Sequence, residues 1–245
     1  MSASAGMDAG APADAELPAL RDFAALPPPM APALSSELEA ELGRMAPVAP
    51  RRPLRQLAIL LGVSAVYASG LLLVLTMRAD MGELPVGWLV GTALGWLLGF
   101  VVPCYLALVP RPGAVMPRWR VAAIAVAITS IGFVLFGLGV HPAGPSSVSL
   151  GAERFTRGHF CLEFGLATAL VPVVLGAIFL RRALPVGSRW IAAALGAGGG
   201  CLGGLVLHLH CHVADGLHVG LMHGGVVIVA ALLSAAIVPR ASDVR

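Results

Sequence analysis

The stretch from Ile191 to Leu209, IAAALGAGGGCLGGLVLHL, decides the fold. It is rich in Ala and Gly, and nothing in it ionises near neutral pH before His208. Gly196 and Gly200, Gly199 and Gly203, and Gly200 and Gly204 each stand four apart, the spacing that lets helix backbones approach closely in lipid. A spanning helix needs about 20 mostly apolar residues, because lipid offers no partner for backbone N–H and C=O groups. Five other stretches meet that requirement: Leu57–Met77, Val86–Val109, Val121–Val140, Cys161–Leu180 and Val219–Val238. Each is bounded by Arg, Pro or a polar turn. Residues 191–209 are the least hydrophobic of the six, so the choice between five and six spans rests on them.

Arginine makes that choice. With a cytoplasmic N-terminus and six spans, the inner side carries Arg44, Arg51, Arg52, Arg55, Arg111, Arg118, Arg120, Arg181, Arg182, Arg189, Arg240 and Arg245. The outer side carries only Arg78, Arg154 and Arg157. Short loops rich in Arg stay inside, and removing 191–209 would put the last two Arg on the wrong side. The expected fold is an all-α polytopic membrane protein of six transmembrane helices, in a bacterial inner membrane, with both termini cytoplasmic. Composition agrees: 58% of residues are apolar and 12% charged, with mean hydropathy +0.87, against roughly 25% charged in soluble domains. A mainly cytosolic globular enzyme is excluded. Pro103 and Pro172 fall inside spans two and four, where kinks are expected.

The net charge of +3 hides a division into two parts. All basic residues are Arg; residues 1–50 are acidic and residues 51–245 basic. The first part is rich in Ala and Pro, with Pro27-Pro28-Pro29 at its middle, and cannot bury a core. It lacks the basic region and apolar core of a signal peptide. Leu34, Leu38, Leu42 and Met45 nevertheless form one apolar stripe at helical spacing, and Ser36 and Glu39 have capping-box spacing. A weaker helical pattern runs from Glu16 to Leu26. Helices this short need a partner to bury their stripe. Two readings stand: docking into a groove on a cytoplasmic protein with a basic surface, or a spacer on the membrane. The tail's negative charge argues against anionic lipid.

All seven His fall at or near the outer ends of spans three to six. His141 ends the third, while His159, Cys161 and Glu163 open the fourth. His208, His210, Cys211 and His212 leave the fifth, followed by Asp215, His218 and then His223 in the sixth. Imidazole, thiolate and carboxylate bind Zn, Cu or Fe; His208 and His212 are four apart, hence on one helical face if the helix persists, and His208, Cys211, His212 and Asp215 are the expected ligands if a metal is held. Glu163 would need a partner such as Arg157 or a His. Cys104 reads as an ordinary buried residue. A bond between Cys161 and Cys211 would close a loop of about 50 residues, worth about 4 kcal/mol in the chain-entropy account. Three readings compete: a redox- or metal-responsive sensor, a structural metal or disulfide site, and amphipathic His at an interface. No P-loop, GxGxxG, GxSxG, CxxC or HExxH motif is present, so an enzyme is not favoured and no cofactor beyond a metal ion is expected.

With Cys161 opening span four and Leu207-His208-Leu209-His210-Cys211-His212 leaving span five, the chain resembles the six-span NrsF-like membrane anti-sigma factors. That resemblance implies a cytoplasmic tail that holds an extracytoplasmic-function (ECF) sigma factor away from RNA polymerase until a signal releases it. It involves no direct contact with nucleic acid. The His-rich lip and Ala/Pro-rich tail are most similar to the anti-sigma factors of light-induced carotenoid synthesis. These imply a CarQ-like sigma factor as partner and reactive oxygen formed by light as stimulus. On this reading Leu34, Leu38, Leu42 and Met45 bind the sigma factor, and Cys161, Cys211, His208, His210, His212, His218 and His159 form the sensor. The HxxxCxxC motif of soluble zinc-binding anti-sigma domains is absent from the tail. A metal-binding membrane protein or a small-solute or metal transporter is the alternative, although the spans are nearly bare of charge away from the outer rim.

Overall fold

Long apolar runs punctuated by Pro and Arg become helices, and among the described residues every regular element is helical. The computed structural model describes residues 35–44, 52–111, 113–140, 152–181, 188–213 and 215–242. The chain divides into two units, Met1–Pro50 and Arg51–Arg245.

The first unit contributes helix α1, Ser36–Arg44. Glu37 and Glu39 sit in its first turn and Arg44 in its last, matching the helix dipole. The cap differs from the expected pair of Ser36 and Glu39. The helix begins at Ser36, so Ser35 precedes it and accepts the Leu38 backbone N–H at 3.3 Å. Glu39 then falls one place beyond the position a capping box requires. Leu38 is exposed. Leu34, Met45, the side chain of Leu42 and the weaker pattern at 16–26 lie outside the described residues.

The second unit contains α2 (Pro53–Leu75), α3 (Val86–Leu108), α4 (Arg118–Gly139), α5 (Ala152–Leu180), α6 (Ser188–His210) and α7 (Gly224–Ser242). A π-helical turn, His218–His223, leads directly into α7. Six segments of 22 or 23 residues are long and apolar enough to cross a membrane. At 1.5 Å per residue each spans about 33 Å, matching a hydrocarbon core of about 30 Å. Proline starts three of them: Pro53 opens α2, while Pro85 and Pro117 directly precede α3 and α4. Pro103 and Pro172 lie inside α3 and α5, each of which is a single continuous helix. The guanidinium of Arg118 donates to the carbonyls of Leu106 and Ala107, two acceptors that the end of α3 would otherwise leave open.

The least hydrophobic span is the central one. Of the apolar window of α6, 89% is buried, against 17–50% for the other five. Lipid supplies no hydrophobic drive between helices, so close backbone packing must hold this bundle together. Gly196 and Gly200 meet Ala230 and Val227 of α7, and Gly199 and Gly203 meet Ala169 and Gly165 of α5. Gly204 lies under the Trp96 ring of α3, which stacks on Phe133 of α4 with centroids 3.9 Å apart. At Gly200 a Cβ would stand 2.6 Å from the Cα of Val227, closer than packed atoms allow. Large side chains elsewhere point outward, including Val66, Leu73, Val74, Ile128 and Leu135. Such an outward apolar surface suits helices long and apolar enough to cross a membrane.

Candidate functional site

The chain runs up and down, so the end of α2, start of α3, end of α4, start of α5, end of α6 and start of the π turn gather at one end of the bundle. Contacts across 50 to 134 residues confirm the gathering. Arg52, Arg55, Arg111, Arg118, Arg120, Arg181, Arg189 and Arg240 mark the opposite end.

Helix α6 ends at His210, and a short link leads from it to the next helical turn. Cys211 thus leaves the helix, though its N–H still reaches the Leu207 carbonyl at 2.7 Å. Asp215 opens the following turn: its Oδ1 accepts the His218 N–H at 2.9 Å and its carbonyl accepts the Val219 N–H at 3.0 Å. The π geometry of 218–223 then brings His218 and His223 edge to face, with ring centroids 5.1 Å apart. In an α-helix two residues five apart would stand about 140° apart around the axis.

Four side chains converge here. The Cys161 thiol, on α5, donates to Cys211 Sγ at 3.8 Å. His218 Nε2 lies 3.4 Å from the same sulfur. The ligand atoms of Cys161, Cys211, His218 and His223 all fall within 4.8 Å of one another, and three of the four residues are buried. Neither ring nitrogen of His223 has a hydrogen-bond partner among the described residues, although the residue is 2% exposed. Hydrogen bonds from the Cys161 thiol and then from His218 hold the Cys211 thiol well below the ordinary range, against the opposing effect of burial. Both thiols are free, and a disulfide would require their sulfurs to close to about 2.05 Å. The site therefore offers two free thiols within short reach of each other and two imidazoles.

A second cluster joins the link after α2 to the end of α6. Arg78, 5% exposed, donates from its side chain to the carbonyls of His208 at 3.3 Å and His212 at 3.5 Å. Its backbone N–H donates to Leu209 O at 2.9 Å. These are carbonyls that the end of α6 leaves open. Asp80 binds the same guanidinium at 2.7 and 2.8 Å, and this hydrogen bonding holds its carboxyl below the usual carboxylate range. The guanidinium also lies 5.7 Å from the Trp88 ring centroid. His208 packs edge-on against Trp88 at 4.8 Å and donates from Nε2 to Leu89 O at 3.0 Å. His210 Nδ1 donates to Thr76 O at 2.8 Å.

Of the residues singled out in the sequence, Cys161, Cys211 and His218 come together. His208 and His210 are engaged by backbone carbonyls of α3 and of the α2 end, His212 is exposed, and His159 is exposed with its ring against Phe160. The expected quartet of His208, Cys211, His212 and Asp215 does not assemble. Its reasoning needed one continuous helix through 208 and 212, and the helix ends between them. Glu163 is exposed, and the Arg157 side chain and His141 lie outside the described residues. Two participants were missed. His223 could be found only by knowing of the π turn, and Arg78 acts on carbonyls, which carry no residue signature.

No curated protein and no solved structure matches the chain. A family description, NrsF, negative regulator of sigma F, matches residues 43–242, which takes in the whole helical bundle and the cysteine–histidine cluster. The chain belongs to the NrsF family of negative regulators of a sigma factor.

Proposed function

We propose that the chain is a membrane anti-sigma factor that holds an ECF sigma factor at the cytoplasmic face and releases it when the Cys161–Cys211 end of the bundle is modified. The observation that carries this reading is the meeting of two free thiols, one on α5 and one in the link after α6, inside a region matched by a sigma-regulator family. The Arg residues at the opposite end support a bacterial inner-membrane orientation with both termini cytoplasmic and the thiols outside. The acidic tail is the sigma-binding segment: α1 presents Leu38, and Leu34, Leu42 and Met45 extend its stripe by helical spacing. The partner is a CarQ-like ECF sigma factor, and the output is transcription such as that of carotenoid genes under light.

The signal chemistry is a two-electron oxidation. A hydroperoxide takes two electrons from the thiols, giving the disulfide, an alcohol and one water, with the thiol protons ending in those products. Closing the sulfurs draws α5 toward the end of α6. The Arg78 clasp then transmits the movement to α2, which follows the tail in sequence.

The test is a paired pull-down from solubilised membranes, with the full chain and with a chain lacking residues 1–50. A sigma factor captured by the first and absent from the second is the expected result. Capture by neither chain sinks the anti-sigma reading, and equal capture by both moves the contact out of the tail. Cys161→Ser and Cys211→Ser should each leave capture intact while abolishing release by hydroperoxide.

A further inference from the structure

We infer that Cys161, Cys211, His218 and His223 form a tetrahedral site for a thiophilic divalent cation of the zinc type. This does not rest on the anti-sigma reading; it stands on the geometry of four side chains.

A tetrahedron with metal–sulfur bonds of about 2.3 Å has sulfur–sulfur edges of about 3.8 Å, and one with metal–nitrogen bonds of about 2.0 Å has sulfur–nitrogen edges of about 3.5 Å. The Cys161–Cys211 sulfurs are 3.8 Å apart, and Cys211 Sγ to His218 Nε2 is 3.4 Å. These two edges match a Cys2His2 coordination shell, and the remaining separations, all within 4.8 Å, close onto a shared cation by a contraction of about 1 Å. The fourth ligand is the independent sign. His223 is 98% buried, and its two nitrogens have no hydrogen-bond partner among the described residues, a costly arrangement unless one of them binds something. The π turn is the third sign. Such turns are rare and concentrate at functional positions, and this one alone puts His218 and His223 on one side. The donor set of two thiolates and two imidazoles suits Zn2+ over Mg2+ or Ca2+, which prefer oxygen.

Binding requires both sulfurs as thiolates and both imidazoles neutral, so any proton still on a ligand atom is released. The ligands come from α5, from the link after α6 and from the π turn before α7, so the cation ties three segments together. In the metal-bound state both sulfurs are committed to the cation.

The test uses the full chain, reduced and purified in detergent, titrated with Zn2+ and separately with Co2+. We expect one metal per chain and a Co2+ spectrum with thiolate charge-transfer bands and the intense visible bands of tetrahedral coordination. Cys161→Ser and His223→Gln should weaken binding by more than the roughly 10–100-fold that loss of a supporting outer partner costs, whereas His212→Ala should bind as wild type. The wild-type Co2+ spectrum reads the ligand set even if a variant misfolds. No binding by the reduced wild type overturns the inference, as does a Co2+ spectrum without thiolate bands. Equal loss in His212→Ala and His223→Gln overturns it too. Sigma-factor capture is read separately, so either idea can fail alone.

Discussion

Arg78 shows how much one residue can be asked to do. Its guanidinium serves Asp80, two carbonyls at and just past the end of α6 and the face of Trp88, while its own N–H holds a third carbonyl. Reading the sequence gave it only the role of an outer-loop charge, because carbonyl acceptors leave no mark in a sequence. Asp80 makes the arrangement pH-dependent. Its folded-state pKa lies below the ordinary carboxyl value, so its contribution is complete above that value and fades as pH falls through the depressed one. Asp80→Asn should therefore destabilise the detergent-solubilised protein at pH 7 by about 0.2–1 kcal/mol, the range for a partly screened ion pair. Thermal unfolding at descending pH checks this: the gap between variant and wild type should close below about pH 4, near the unfolded carboxyl value. Next to this clasp, Thr76 has φ +67°, a backbone conformation a β-branched residue adopts only under constraint. Its carbonyl is the acceptor for His210. Thr76→Gly should raise stability by relieving strain of about 1–3 kcal/mol, less the entropy that glycine adds to the unfolded chain. A fall in melting temperature would count against strain at this position.

Among the elements, α6 carries the clearest lesson. Its Ala/Gly content lowers its hydropathy and so weakens its reading as a span, yet the same content is why it sits in the middle. Hydropathy measures what suits lipid, whereas the centre of a bundle selects what suits other helices. The Gly spacing recovered that second requirement, and the Arg distribution settled the count. Gly200→Ala should cost about 1–3 kcal/mol by pushing against the Val227 backbone. Gly70→Ala in α2, with nothing within 4 Å of the added methyl, should be neutral or slightly stabilising. Denaturant titrations of the pair distinguish seam packing from general helix propensity. The candidate site was only half legible by comparison. Cys161, Cys211 and His218 stood out by chemistry. The pairing of His208 with His212 failed because it assumed an unbroken helix, and His223 stayed hidden because α-helical spacing turns it away from His218.

For the whole molecule, six alternating spans separate an Arg-marked end from a Cys/His-marked end. An impermeant thiol reagent applied to intact cells checks the proposed orientation. On a background lacking Cys161 and Cys211, Gly82→Cys should be labelled and Ala114→Cys should not; both positions are exposed. Labelling of the second but not the first would invert the topology and place the thiol pair in the cytoplasm. The π turn has a consequence at this scale as well. It acts as a one-residue insertion between two registers: the α7 residues that seat Ala230 and Val227 against α6, and the 215–218 stretch that meets the thiols. Each residue of helix turns what precedes it by about 100°. Deleting exposed Leu221 should leave the α6–α7 seam in phase while swinging His218 away from Cys211. One amino acid therefore keeps the two registers in step, and an indel there is a phase error that packing alone would not detect.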